Sequence, residues 1–474
     1  MIKNIKWLLF ASLSIVACND DDVITEEPVS SGSANFSKYV ALGDSFAAGY
    51  SDGALFKEAQ KTSYPAILSG QFMAAGGGSM TIPYMNDNIG GFTNTALGGP
   101  RLYLAPGNVP TPVAGTPSTD VSSHLSGAFT NLGVPGAKSY HLLAGGYGNI
   151  AGLLTSPPSA NPYFVRFATS STTSVLADAL TQQPTFFSLW IGGNDVLGYA
   201  LSGGDGSNPI TPTINFDAAY NTLATQLATG GRKGVVANLP YVTSLPHFTT
   251  VPYNPVVLNS TQVSQLNSGY ATYNGGLAVA VTNNLITQAE ADRRRVVFQV
   301  GANPVVIVDS YLTDLSAYGI PSYRPATADD YPVLPSSAFI GTLVGGNPVA
   351  INGVSVPLAD KWVVSKNEVD EIIAATDAYN VTIEAAANAN GLAFVDAKSI
   401  MNQLTSPNGI SVNGYTLKED FVTGGAFSLD GVHPSPRGYA LIANKFIEAI
   451  NAKYGSTLKT VNVGTYRILF PSIL

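Results

Sequence analysis

A single cysteine, Cys18, is all the thiol this chain carries, so no intrachain disulfide and no cysteine-based metal cluster can form. Charge is scarce too: 11% of residues are Asp, Glu, Lys or Arg, against roughly 25% in an average soluble protein. The surface must therefore be built largely from Ser, Thr, Asn and Gly. What charge exists is net acidic, at −8, and no basic cluster is larger than "DRRR" at Asp292–Arg295. Such a surface repels phosphate backbones, which argues against nucleic acid as a partner. Long apolar runs are missing as well. The N-terminal one, Trp7 to Ala17, is eleven residues, where a bilayer span needs about 20.

That short run follows two lysines and ends in Ile15-Val16-Ala17-Cys18. A charged start, an apolar middle and a small residue before the cleavage point describe an export signal. The last four residues resemble the bacterial lipobox, in which the cysteine is acylated and becomes the new N-terminus. Residues 1–18 are thus expected to be a lipoprotein signal peptide and Cys18 the lipidation site. The next stretch, "NDDDVITEEPVSSGSANFS" at 19–37, is acidic and then Ser/Gly-rich, with little to bury, and reads as a disordered tether. Aspartates beside the cysteine resemble a signal that sends lipoproteins to the cell surface in one group of Gram-negative bacteria. The expected location is the outer membrane or cell surface, with a lipid anchor as the membrane contact.

From residue 38 onward, five short apolar runs have strand length and are bounded by turn residues: 39–42, 129–134, 185–191, 234–239 and 392–395. Between them lie helical patterns at 174–180, 216–228, 264–292 and 368–390. The alternation predicts an α/β fold, with a mostly parallel sheet and helices on both faces. A final helix is delimited by Ser435 as cap, Pro436 in its first turn and a stop near Gly455. Residues 70–125, 200–215 and 305–365 break the repeating pattern and read as insertions in one domain spanning 38–455. The last contains an apparent hairpin, "GNPVAINGVSVPL", and residues 456–474 form a C-terminal extension.

In such a sheet, loops leaving the carboxyl ends of the strands gather at one edge. "ALGDSF" is one of these loops: Gly43 permits a tight turn, and Ser45 at the start of a helix sits where backbone N–H groups favour negative charge. Taken alone, Asp44-Ser45 is equally a turn and a helix cap. At the far end, "FSLDGVHPSPRGY" sets Asp430 three residues before His433. A serine nucleophile needs a neutral imidazole to take its proton and a carboxylate to hold that imidazole in the right tautomer. "FTNLGVPGAK" and "FFSLWIGGNDV" place Gly136 and Asn194 just after expected strands, where N–H donors could face an oxyanion. Each of these, too, is by itself an ordinary turn.

Together, Gly43-Asp44-Ser45, Asn131 to Gly136, Gly192-Gly193-Asn194-Asp195 and Asp430 to His433 resemble the blocks of the SGNH, or GDSL-type, hydrolase superfamily. The resemblance implies a three-layer α/β/α sandwich with a flavodoxin-like sheet. It implies Ser45 as nucleophile, His433 as base and Asp430 as its orienting partner. The oxyanion hole would be formed by Ser45, Gly136 and Asn194. No cofactor and no metal are implied. Phe46 departs from the leucine of the family name and is expected to be packing.

The reading that follows is a serine esterase or lipase acting on carboxylic esters through an acyl-serine. Its nearest alternative is a carbohydrate O-acetylesterase, and from another class a surface lipoprotein that binds glycan or protein without turnover. Gly49-Tyr50-Ser51-Asp52-Gly53 matches G-x-S-x-G and makes Ser51 a rival nucleophile, although no strand runs directly into it. "TIPYMNDNIGGF" and "PRLYLAPGN" are apolar and aromatic enough to form an acyl-binding wall, which favours lipid or medium-chain esters, or to stack on the sugars of an acylated carbohydrate, or to be simply local core. His124, His141 and His247 lack companions at metal-ligand spacing, and His247 could line the crevice.

Overall fold

The computed structural model describes residues 28–474. Strands β1 (Tyr39–Gly43), β2 (Asn131–Gly133), β3 (Phe186–Trp190), β4 (Lys233–Ala237) and β5 (Ala393–Val395) form one sheet in the order β2-β1-β3-β4-β5. Every pairing is parallel. Each strand falls on one of the five expected runs, because a strand covered on both faces is apolar along its whole length. The residues of β1, β2 and β3 are all buried. Gly43 pairs with Gly133 on one side and Trp190 on the other, so three strands end level and their outgoing loops meet. The strand order reverses between β1 and β3, the place where open α/β sheets form their crevices.

Two helix pairs cover the sheet: Tyr64–Ala74 against Pro436–Tyr454, and Thr213–Ala228 against Lys366–Ala389. The final helix begins as expected, with the Ser435 hydroxyl accepting from the Gly438 N–H at 3.0 Å, and it ends on left-handed Gly455. Its buried stripe includes Tyr439, Ala443, Phe446, Ile447 and Ile450.

Several expectations need correction. The pattern at 264–292 is not one sheet-covering helix but three, Ser260–Gly269, Ala271–Thr282 and Gln288–Arg294. Asn259 and Gln262 cap the first reciprocally, and Asn284 leaves the helical region with φ of 54°. These helices belong to a lobe within residues 253–363 that has its own cores, one around Val296, Phe298, Val306 and Leu358 and another around Leu277 and Leu315. Arg324, buried between Asp309 and Asp330, staples the lobe with a two-pronged contact to Asp330 at 2.6 and 2.7 Å. The expected hairpin at 346–358 is a series of turns joined by isolated bridges. Pro348 and Pro357 remove N–H groups that a ladder would need.

The boundary at residue 37 also moves. Phe36 is buried and stacks on Phe72 at 4.1 Å, and the Ser33 N–H donates to the Tyr454 carbonyl at 2.9 Å. The described end of the tether, 28–37, is thus part of the body, and residues 19–27, with Cys18, lie outside the described residues. The 456–474 extension adds no strand but seats Val463 and Phe470 in the core.

Candidate active site

β1 delivers the chain to Gly43, where a Cβ would collide with the Trp190 carbonyl and Ala47. Asp44 caps the short helix Ser45–Ala48 by accepting the Phe46 N–H at 3.0 Å. This turn leaves Ser45 at the carboxyl edge of the sheet with its Oγ 2.8 Å from His433 Nε2. His433 Nδ1 lies 2.8 Å from Asp430 Oδ2. Both partners stand in the loop that runs into the capped final helix, so that loop brings the imidazole to the serine.

Asp430 is held by more than the imidazole. Its Oδ1 accepts from the N–H groups of Val432 and His433, both at 2.8 Å, and its Oδ2 from the Gly53 N–H at 2.9 Å. Burial pushes the carboxyl upward, but the His433 imidazole and the N–H groups of His433 and Val432 outweigh it and hold the group well below the ordinary carboxylate range. The stability this contributes is present above the ordinary carboxylate pKa and is lost only as pH falls through the depressed value.

On the opposite side, Asn194 opens the helix Asn194–Leu201 directly after β3. Its Nδ2 donates to the Ala137 carbonyl at 3.0 Å and points to Asp44 Oδ2 at 3.4 Å. Gly136, with φ of 79°, follows Val134, whose N–H donates to the Gly43 carbonyl at 3.0 Å. The loop after β2 therefore lies against both the nucleophile turn and Asn194. Among the described residues, the backbone N–H groups of Ser45 and Gly136 engage no acceptor. Donors left free in this way suit an oxyanion.

The profile of GDSL-like lipases and acylhydrolases matches residues 39–311, more than half of the chain. The chain belongs to the GDSL-like lipase/acylhydrolase family. It is a carboxylic ester hydrolase, which sets aside the alternative of a binder without turnover. The matched span holds Ser45, Gly136 and Asn194, whereas Asp430 and His433 lie beyond it and are brought in by the fold. No curated protein matches the chain. Similar solved structures include an α/β hydrolase enzyme from the metagenome of Lake Arreo, Spain, at 11% identity and TM-score 0.34, over 88% of this chain and 96% of that one. A catalytic mutant of an acetylxylan esterase from Geobacillus stearothermophilus shows the same identity and TM-score, over 88% and 95%.

In this GDSL hydrolase the rival Ser51 is occupied elsewhere. It is buried, and its Oγ donates to the Pro434 carbonyl at 3.2 Å. The loop that carries it has another use, since its Gly53 supplies a donor to Asp430 and its Asp52 Oδ1 accepts from the Leu429 N–H at 2.9 Å. Nothing in the sequence signals this, because the contact spans 377 residues. Other supports were equally silent. Asn131 Nδ2 donates to the Ala47 carbonyl at 2.9 Å, tying β2 to the nucleophile helix. Buried Asp195 accepts from the N–H and hydroxyl of Ser139 at 2.8 and 2.9 Å and fixes the loop beyond Gly136. The Tyr50 ring lies 4.6 Å from the His433 ring.

His247 packs behind the catalytic turn, with its N–H on the Gly431 carbonyl at 2.9 Å and Nδ1 at 3.3 Å from the Asp430 carbonyl. It braces the turn and does not join the relay. His124 Nε2 meets the Ala168 carbonyl, and His141 Nδ1 accepts the Lys138 N–H. The segments expected as an acyl wall do not reach Ser45: Met85 and Phe92 pack with Leu55 and Tyr163 as local core, and Leu102–Ala105 pairs with Val109–Pro112. The wall comes from the segments after β3 and β4 instead. Leu197, Leu239, Val242 and Leu245 join Phe46 and Trp190 around an apolar cavity of about 40 Å³ beside Ser45.

Two further carboxyls are buried here. Burial pushes Asp44 up to about 6, against the Phe46 N–H and His433. It pushes Asp52 up to about 7, opposed first by the Leu429 N–H, and Asp52 Oδ2 has no hydrogen-bond partner among the described residues. A carboxyl raised on folding destabilises the fold increasingly as pH climbs from the ordinary carboxylate value to the raised one. Asp52→Asn is therefore expected to change stability little near pH 4 and to raise it relative to wild type at pH 8. Denaturant titrations at the two pH values measure this, and an equal change at both would assign the titration to another group.

Proposed function

We propose that this hydrolase cleaves esters of short acyl chains through an acyl-Ser45 intermediate. Ser45 Oγ attacks the carbonyl carbon while His433 Nε2 takes its proton. The oxyanion is received by the N–H groups of Ser45 and Gly136 and by Asn194 Nδ2. The C–O bond breaks, His433 returns the proton to the leaving alcohol, and water then repeats the sequence on the acyl-serine. The observation that carries this assignment is the unbroken relay of 2.8 Å contacts from Ser45 through His433 to Asp430.

Support for a short acyl chain comes from the cavity beside Ser45. At about 40 Å³ it is far smaller than the roughly 300–1,000 Å³ of drug-sized ligand sites, which favours a short acyl group. Phe46, Trp190, Pro240 and Leu245 form its wall and are shared with a second apolar cavity of about 60 Å³ that reaches Met401, Leu404 and Phe446. Phe46, expected only as packing, thus stands between the two. Turnover of p-nitrophenyl esters is expected to peak at acetate to butyrate and to fall steeply by octanoate. Phe46→Ala should shift the optimum toward longer chains by joining the cavities. Activity that peaks at octanoate or beyond in the wild type would refute the short-chain reading without touching the relay.

We further propose that the enzyme is an exported lipoprotein acylated at Cys18 and held at the outer membrane or cell surface. The lone cysteine at the end of an apolar signal-like run supports this. Cells fed radiolabelled palmitate should label the wild type and not Cys18→Ser, and equal labelling of the two would refute it.

A further inference from the structure

A concavity far larger than the one beside Ser45 opens elsewhere among the described residues. It lies in the 253–363 lobe, has a volume of about 1180 Å³ and shares no lining residue with the catalytic cavity. Helices Ser260–Gly269 and Ala271–Thr282 form one wall, and segments 318–323 and 348–355 form the others. A space this size is at or above the roughly 300–1,000 Å³ of small-molecule sites.

The lining specifies what would fit. It carries no Asp, Glu, Lys, Arg or His, so a bound carboxylate, phosphate or ammonium would be desolvated without a partner. Part of its polar lining is committed to the protein. Tyr270 and Tyr273 donate their hydroxyls to the Val354 and Tyr323 carbonyls, which leaves ring carbon for an occupant. Ser355 donates to the Val349 carbonyl at 2.7 Å while accepting the Ile351 N–H at 2.8 Å. Gln262 Oε1 accepts the Asn259 N–H, and Asn283 donates to the Val279 carbonyl. The Gln265 and Thr272 side chains and the Tyr318 and Tyr323 hydroxyls engage no partner among the described residues, which leaves them open to the hydroxyl or ester head of an occupant.

The mouth tells the same way. Val279, Tyr318 and Val349 line the space and are 60%, 63% and 72% exposed. Single exposed apolar side chains are ordinary, but three around one concavity form a patch whose burial is favourable.

We propose that this lobe holds a second, non-catalytic site for an uncharged aliphatic-chain molecule, of the class of a long-chain alcohol or neutral glyceride. The apolar floor receives the chain, and the exposed valines and Tyr318 close over its end.

The full-length protein should bind the neutral dye Nile red saturably at one site. 1-Hexadecanol should displace the dye, while maltohexaose should not and palmitate should do so only weakly. Val279→Trp and Val349→Trp fill the mouth from opposite walls at exposed positions, and each is expected to weaken dye binding at least tenfold. Both should retain wild-type circular dichroism and wild-type hydrolysis of p-nitrophenyl acetate. Unsaturable dye uptake would overturn the proposal. So would wild-type affinity in both folded variants, or displacement by maltohexaose. Because the readout is binding and not turnover, its failure would leave the acyl-serine assignment standing, and failure of that assignment would leave this site intact.

Discussion

Ser45→Ala is expected to lower kcat by on the order of 10⁴-fold or more, since losing the nucleophile of a serine relay leaves only binding and oxyanion stabilisation. The variant should keep its fold, because the Ser45 hydroxyl contacts His433 and holds no other element in place. Ser51→Ala makes the matched control. Its hydroxyl ends on the Pro434 carbonyl, so its loss costs about 0.5–1.5 kcal/mol of stability and should spare turnover to within about tenfold. Single-turnover assays with p-nitrophenyl acetate would separate acylation from binding. Full activity in Ser45→Ala, or its abolition only in Ser51→Ala, would transfer the nucleophile's role to the second serine and break the proposed relay.

The second large effect belongs to Asn194. Removing one side-chain oxyanion donor typically costs on the order of 100- to 1,000-fold in kcat with little change in ground-state binding. Asn194→Ala should follow that pattern, with KM near wild type. Its amide also reaches the Ala137 carbonyl, so the loop bearing Gly136 could loosen and add to the loss. Activity within a few-fold of wild type would mean that the oxyanion forms elsewhere.

The parts of the fold legible in the sequence were those governed by short-range rules. β3 reads as "FFSLW" because both faces are covered, and the final helix announces itself through Ser435, Pro436 and Gly455. The four catalytic segments were legible because each sits just after a strand or before a capped helix. Long-range pairing was not. A helical period at 264–292 says that a helix forms, and not whether its apolar side meets the sheet or a separate lobe. Gly53 and Asp195 secure Asp430 and Ser139 through contacts that no local pattern encodes. Phe36 shows the opposite failure, where a polar stretch hid one aromatic whose burial anchors it.

The final helix has one more implication. It starts beside His433 and finishes at Tyr454, whose carbonyl receives Ser33. Nineteen residues of helix span about 28 Å, so the first described residues lie against the helix end remote from the reacting serine. The proposed tether upstream of residue 28 would thus join the body at the end far from the catalytic serine.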